Sequence, residues 1–146
     1  MIFLIKIGTD SQGLNMLQEQ KVVNLEIVVV DDSDFSRQSM REILESGGHK
    51  VIAQAGTAEK ALEIAQNIKA NLYIIDIVMP NQSGIDVCKK ILEKNPGTAI
   101  ILTSSLRGES IVIESITAGA IDFLEKPFKK EDLLKSCLRI KNLLSR

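Results

Sequence analysis

The 146 residues include no tryptophan, one tyrosine, one histidine, three prolines and two cysteines. With aromatics at 3%, the chain lacks the stacking platforms that single-stranded nucleic acid requires. An excess of positive charge is missing too: 18 basic residues face 19 acidic ones, so nothing supplies the basic footprint of a phosphate-backbone binder. Cys88 and Cys137 form neither a CxxC pair nor a disulfide framework, which argues against a stapled secreted scaffold and for a reducing compartment with both thiols in the core. No apolar run approaches the roughly 20 residues that cross a bilayer. The opening Met1-Ile2-Phe3-Leu4-Ile5 run is broken by Lys6 and has neither a cationic flank nor a small-residue cleavage site, so a cytoplasmic location is expected. What remains is a chain 45% hydrophobic and 25% charged, the balance of one compact domain.

From residue 26 onward, short β-branched runs alternate with segments of helical period, the rhythm of βαβ units and a parallel sheet. The predicted strands are Glu26 to Val30, Lys50 to Ala55, Leu72 to Asp76, Ala99 to Thr103 and Ile121 to Leu124. Five helices follow them. The first starts at Ser33 or Asp34, carries Phe35, Met40, Ile43 and Leu44 on one stripe, and stops at Gly47-Gly48. The second follows Thr57 with Ala58, Ala61, Leu62, Ala65 and Ile68. The third follows Ser83-Gly84 with Ile85, Cys88, Ile91 and Leu92, ending at Pro96-Gly97. The fourth spans Glu109 to Ala118, and the fifth begins near Lys130 and buries Leu133, Leu134, Cys137, Leu138 and Leu144. Residues 1 to 24 stand apart as an N-terminal extension to a domain of residues 25 to 146. Gly8, Asp10, Ser11, Gln12, Gly13 and Asn15 form a polar break there, and the segment is expected to be an edge strand, a dimer contact, or sequence upstream of a start at Met16.

In a doubly wound parallel sheet the C-terminal strand ends share one rim, and ligands sit where the strand order reverses. Asp31 and Asp32 end the first strand, Asp76 the third and Thr103 the fourth, while Lys126 lies just past the fifth. Three carboxylates on one rim repel each other, and the cluster persists near neutral pH only if a cation or a raised pKa relieves it. Mg²⁺ is a hard ion that takes carboxylates and phosphate oxygens, and Mn²⁺ is a substitute. A carboxylate can itself accept a phosphoryl group, with Asp76 best placed to do so. Lys126 and the Thr103 hydroxyl are then available to the phosphoryl oxygens.

Four motifs sharpen this: Val28-Val29-Val30-Asp31-Asp32-Ser33; Ile74-Ile75-Asp76-Ile77-Val78-Met79-Pro80 with Gly84; Ile101-Leu102-Thr103-Ser104; and Gly119-Ala120-Ile121-Asp122-Phe123-Leu124-Glu125-Lys126-Pro127-Phe128. Over residues 25 to 146 the chain resembles the receiver domains of bacterial two-component response regulators, the chemotaxis CheY-like family. The resemblance implies an α/β fold, a five-stranded parallel sheet of flavodoxin-like order 2-1-3-4-5 with five helices on its two faces. It implies phosphorylation of Asp76 by a sensor histidine kinase or phosphotransfer protein, and a Mg²⁺ site made of Asp31, Asp32, Asp76 and the Val78 carbonyl. It further implies phosphate contacts and switching through Thr103, Ser104, Lys126 and Phe123, a cis Lys126-Pro127 peptide, and an output face on the fourth helix, fifth strand and fifth helix. There Ile111, Val112, Ile116 and Phe123 would meet a protein partner or, on phosphorylation, a second copy. Phe123 stands where family members often have tyrosine, so one hydroxyl contact is missing. The expected molecule is a stand-alone switch, not an enzyme, without direct nucleic-acid or membrane binding.

A rival reading takes Asp32-Ser33-Asp34 as the DxD of a haloacid-dehalogenase-like phosphatase, with Asp32 as nucleophile and Asp34 as general acid. It lacks a cap-sized insertion and a later acidic pair. An FMN carrier of flavodoxin type is disfavoured by three aspartates where a phosphate cradle belongs. His49, in a Gly-Gly turn, reads as a solvated side chain and not as a phosphodonor.

Overall fold

The computed structural model describes residues 2–9, 15–21 and 24–145. Strands β1 (Ile2–Thr9) and β2 (Asn15–Lys21) pair antiparallel with each other. They form a separate two-stranded sheet, which corrects the expectation of an added edge strand: the main sheet is bounded by β4 (Lys50–Ala55) and β7 (Asp122–Glu125). Residues 10–13 of the polar break lie outside the described residues.

The main sheet runs β4, β3 (Glu26–Val30), β5 (Leu72–Asp76), β6 (Ala99–Ser104), β7, all pairs parallel, the 2-1-3-4-5 order once the five strands are counted alone. Its central strands are apolar throughout because both faces are covered. The side-chain period of two sends Val28, Val30, Tyr73, Ile75, Ile100 and Leu102 to one face. There they meet α2 (Ala58–Asn67), α3 (Gly84–Lys94) and residues around α4 (Glu109–Thr117). Ile27, Val29, Leu72, Ile74, Ala99 and Ile101 go to the other, under α1 (Asp34–Ser46) and α5 (Lys130–Leu144). Tyr73 is 1% exposed and its hydroxyl has no hydrogen-bond partner.

Local chemistry sets the helix starts. Ser33, Thr57 and Ser83 each accept a backbone N–H of the first helical turn, at 3.2, 3.1 and 3.1 Å. Three expected core positions are not in the core. Phe35 is 82% exposed, because a helical side chain leans toward the N-terminus and in the first turn projects past the helix with nothing above it. Leu138 is 55% exposed: Leu133, Cys137 and Ile140 define the buried stripe of α5, and Leu138 sits one step around from Cys137. Ile68 caps α2 outside its buried face. No helix among the described residues is long and apolar enough to cross a membrane.

Candidate functional site

Strand parity builds the site. β3 and β5 are in register with Val30 opposite Ile75, so the next step brings Asp31 beside Asp76, and Asp76 itself is opposite Thr103 of β6. All three continue the series that faces α1 and α5. Just past β7, Lys126 donates its backbone N–H to the Ser104 carbonyl at 2.8 Å, which anchors the lysine at the same rim.

The side chains then converge. Lys126 Nζ lies 2.7 Å from Asp31 Oδ2 and 3.2 Å from Asp76 Oδ2, one ammonium shared by two buried carboxylates. Asp31 Oδ1 accepts the Ser33 N–H at 2.9 Å, and Asp76 Oδ1 accepts the Val78 N–H at 3.1 Å. Asp32 is exposed and its carboxylate has no partner among the described residues. Oxygens of Asp31, Asp32 and Asp76 lie within 4.8 Å of one another, close enough for one small ion to reach all three. An all-oxygen, carboxylate-rich donor set is what a hard divalent cation selects, so the residues fit Mg²⁺.

Burial pushes the Asp76 carboxyl above the usual carboxylate range, and the Asp31 charge adds to this against the pull of Lys126 and the Val78 N–H. Burial disfavours the Lys126 ammonium, but its hydrogen bond to Asp31 and the two carboxylate charges outweigh that and raise its affinity for the proton. Thr103 is fully buried and its Oγ1 has no partner. The hydroxyl is thus left without a partner among the groups of the described residues. Ser104, also buried, is already engaged: its Oγ accepts the Leu106 N–H at 3.0 Å. The Lys126–Pro127 peptide is cis. Phe123 is half-buried against the core under α4.

Gly84 closes the site from below. Its N–H donates to the Ile77 carbonyl at 2.8 Å, and a Cβ there would stand 2.1 Å from the Asp76 carbonyl oxygen. Only glycine lets α3 start this close to the strand end.

A family model for the response regulator receiver domain matches residues 27–138. The chain belongs to this family. It is 32% identical over 114 residues to the chemotaxis protein CheY of Thermotoga maritima, covering 78% of this chain and 95% of that one. It is 36% identical over 110 residues to CheY of Bacillus subtilis, covering 75% and 92%. Among solved structures, a CheY-like receiver domain from Methanospirillum hungatei superposes with a TM-score of 0.77 at 28% identity, over 83% of this chain and 96% of that one. The BeF3-activated DrrB receiver domain gives 0.73 at 30%, over 81% and 97%. Multidomain relatives, such as a cyclic di-GMP phosphodiesterase of Thermotoga maritima, are matched over only 28% of their length.

Of the residues expected from the sequence, Asp31, Asp32, Asp76 and Lys126 meet here with Thr103 in register beside them, whereas Phe123 lies apart against the core. The sequence reading passed over Arg37, which donates to the Asp31 carbonyl at 2.5 Å and pairs with Asp34. The only signal was an i,i+3 acid–base pair at a helix start, which ordinarily marks a solvated face. His49 is half-buried, and burial, helped by Lys141, lowers its proton affinity.

Proposed function

We infer that this receiver is a phosphorylation switch whose acceptor is Asp76. Asp31, Asp32, Asp76 and the Val78 carbonyl would hold Mg²⁺, with Mn²⁺ as a substitute. When bound, the ion neutralises charge on the transferred oxygens. An Asp76 carboxylate oxygen attacks the phosphorus of a phosphohistidine on a sensor kinase or phosphotransfer protein. The P–N bond breaks, its electron pair stays on the imidazole, and the oxygen–phosphorus bond forms. Lys126 holds Asp76 in place and offers its charge to a phosphoryl oxygen, and the Thr103 hydroxyl donates to another, with Ser104 beside it. Movement of Thr103 leaves room behind it for Phe123, and the change reaches the face of α4, β7 and α5. A two-state equilibrium shifts only by such differential contacts. Ile113 and Ile116 are 59% and 61% exposed on α4, apolar area that a protein partner or a second copy would cover. Both thiols are buried with their pKa pushed up, Cys88 to about 11 and Cys137 to about 12, which suits a reducing cytoplasm.

The observation that carries this reading is the Lys126 ammonium between Asp31 and Asp76, with the unpartnered Thr103 hydroxyl in register beside them. The phosphatase alternative has less behind it, since Asp32 is unheld and its proposed acid Asp34 is paired with Arg37. Acetyl phosphate with Mg²⁺ should add one phosphoryl group by intact mass, releasing acetate, and Asp76→Asn should abolish the adduct. Labelling that survives Asp76→Asn but is lost in Asp32→Asn would overturn the assignment.

A further inference from the structure

We propose that Arg37 is a positioning residue for the cation site, acting through the peptide that joins Asp31 to Asp32. This rests on the Mg²⁺ reading above. Asp32 brings an exposed carboxylate with no side-chain partner among the described residues, so its direction is set by its backbone alone. The residue before it is held at both of its backbone polar groups. The Asp31 N–H donates to the Ala55 carbonyl at 3.0 Å, and the Asp31 carbonyl accepts the Arg37 Nη1 at 2.5 Å. The other arm of the guanidinium pairs with Asp34 in the first turn of α1.

Arg37 is not an ordinary surface cation. Its side chain is 16% exposed, and it lies against Gly56 in the loop after β4, where an added Cβ would come within 3.0 Å of Nη1. One planar fork thus ties the β3–α1 turn, the first turn of α1 and the β4–α2 loop together, a geometry that a lysine point charge does not reproduce. Partners one bond removed from a metal ligand orient it, and losing one typically lowers metal affinity about 10- to 100-fold.

The alternative is that Arg37 acts only as a charge, and the two ideas predict opposite signs. A cation beside an acidic cluster opposes Mg²⁺, so deleting a mere charge should tighten binding. Deleting a positioning residue should weaken it. Calorimetric titration with Mg²⁺ alone on the full chain should show R37A binding about tenfold more weakly than wild type, and R37K falling between them. In acetyl phosphate labelling the Mg²⁺ half-saturation point should rise in parallel, while the rate at saturating Mg²⁺ stays within about twofold of wild type. G56A, which keeps every charge but crowds the guanidinium, should shift Mg²⁺ affinity in the same direction and serves if R37A fails to fold. Unchanged or tighter binding in R37A, or wild-type affinity in G56A where R37A cannot be measured, overturns the proposal. A wild-type chain that binds no Mg²⁺ overturns the site reading as well, whereas normal wild-type binding with an unaffected variant removes only the role of Arg37.

Discussion

The two ends of the parallel sheet are made from the same strands and finished in opposite ways. At the N-terminal end, side-chain amide and hydroxyl groups are matched to backbone groups. The Asn71 side chain accepts the Glu26 N–H at 2.8 Å and donates to the Asn24 carbonyl at 3.0 Å, and the Thr98 hydroxyl donates to the Ala70 carbonyl at 3.0 Å. At the C-terminal end, two buried carboxylates share one ammonium, a third has no partner, and a buried hydroxyl has none either. Unmatched buried polar groups weigh against folding; apart from the Tyr73 hydroxyl inside the sheet, the one among the described residues lies at this rim, beside the carboxylate cluster. The contrast separates the scaffold from the site without reference to any relative.

Three substitutions test that contrast, in falling order of effect. Gly84→Ala should disrupt the most, destabilising by about 3–5 kcal/mol in urea unfolding, because the new methyl collides with the Asp76 carbonyl backbone and not with a side chain that could turn away. Asn71→Ala should cost about 1–2 kcal/mol at the matched end and leave Asp76 phosphorylation by acetyl phosphate unchanged; a lost phosphorylation would blur the division between the two ends. Asp76→Asn should do the reverse, stabilising the chain by roughly 1 kcal/mol or less at pH 7 in EDTA while abolishing phosphorylation. The sign follows from burial. The Asp76 carboxyl holds its proton more tightly folded than unfolded, so its contribution is full below the unfolded range of about 3.9 and is lost as pH rises through the folded value. Ionised at neutral pH, it weighs against the fold, and the advantage of the asparagine variant should shrink as pH is lowered. Thermal unfolding across that range checks it.

The fold was legible because it rests on pattern. Short continuous apolar runs alternating with capped amphipathic helices dictate a parallel sheet, and once strand ends are known, parity brings Asp31, Asp76 and Thr103 to the same face of one rim. The grouping of the candidate site was legible for the same reason, since its members lie at or just past strand ends. Arg37 was not, because nothing in an Asp–Arg pair at a helix start says whether the guanidinium faces water or turns back onto a carbonyl six residues away. Phe35 and Leu138 were misplaced because residue type was allowed to speak for position, when a first-turn location and a 100° step around α5 decide their exposure. Asp122 shows a further limit. Its carboxylate accepts the Ser136 hydroxyl at 2.6 Å and pairs with Arg139 at 3.1 Å, joining β7 to α5 through contacts no local pattern announces.

Tyr73 sits three residues before Asp76 on the same central strand, and the chain has no other tyrosine and no tryptophan. Its near-ultraviolet signal is therefore dominated by a single phenol in a dry, rigid setting. In the tyrosine band, where the four phenylalanines do not absorb, second-derivative absorbance of the unlabelled protein reports on Tyr73 alone, which provides a built-in gauge of whether events at the rim travel inward along that strand.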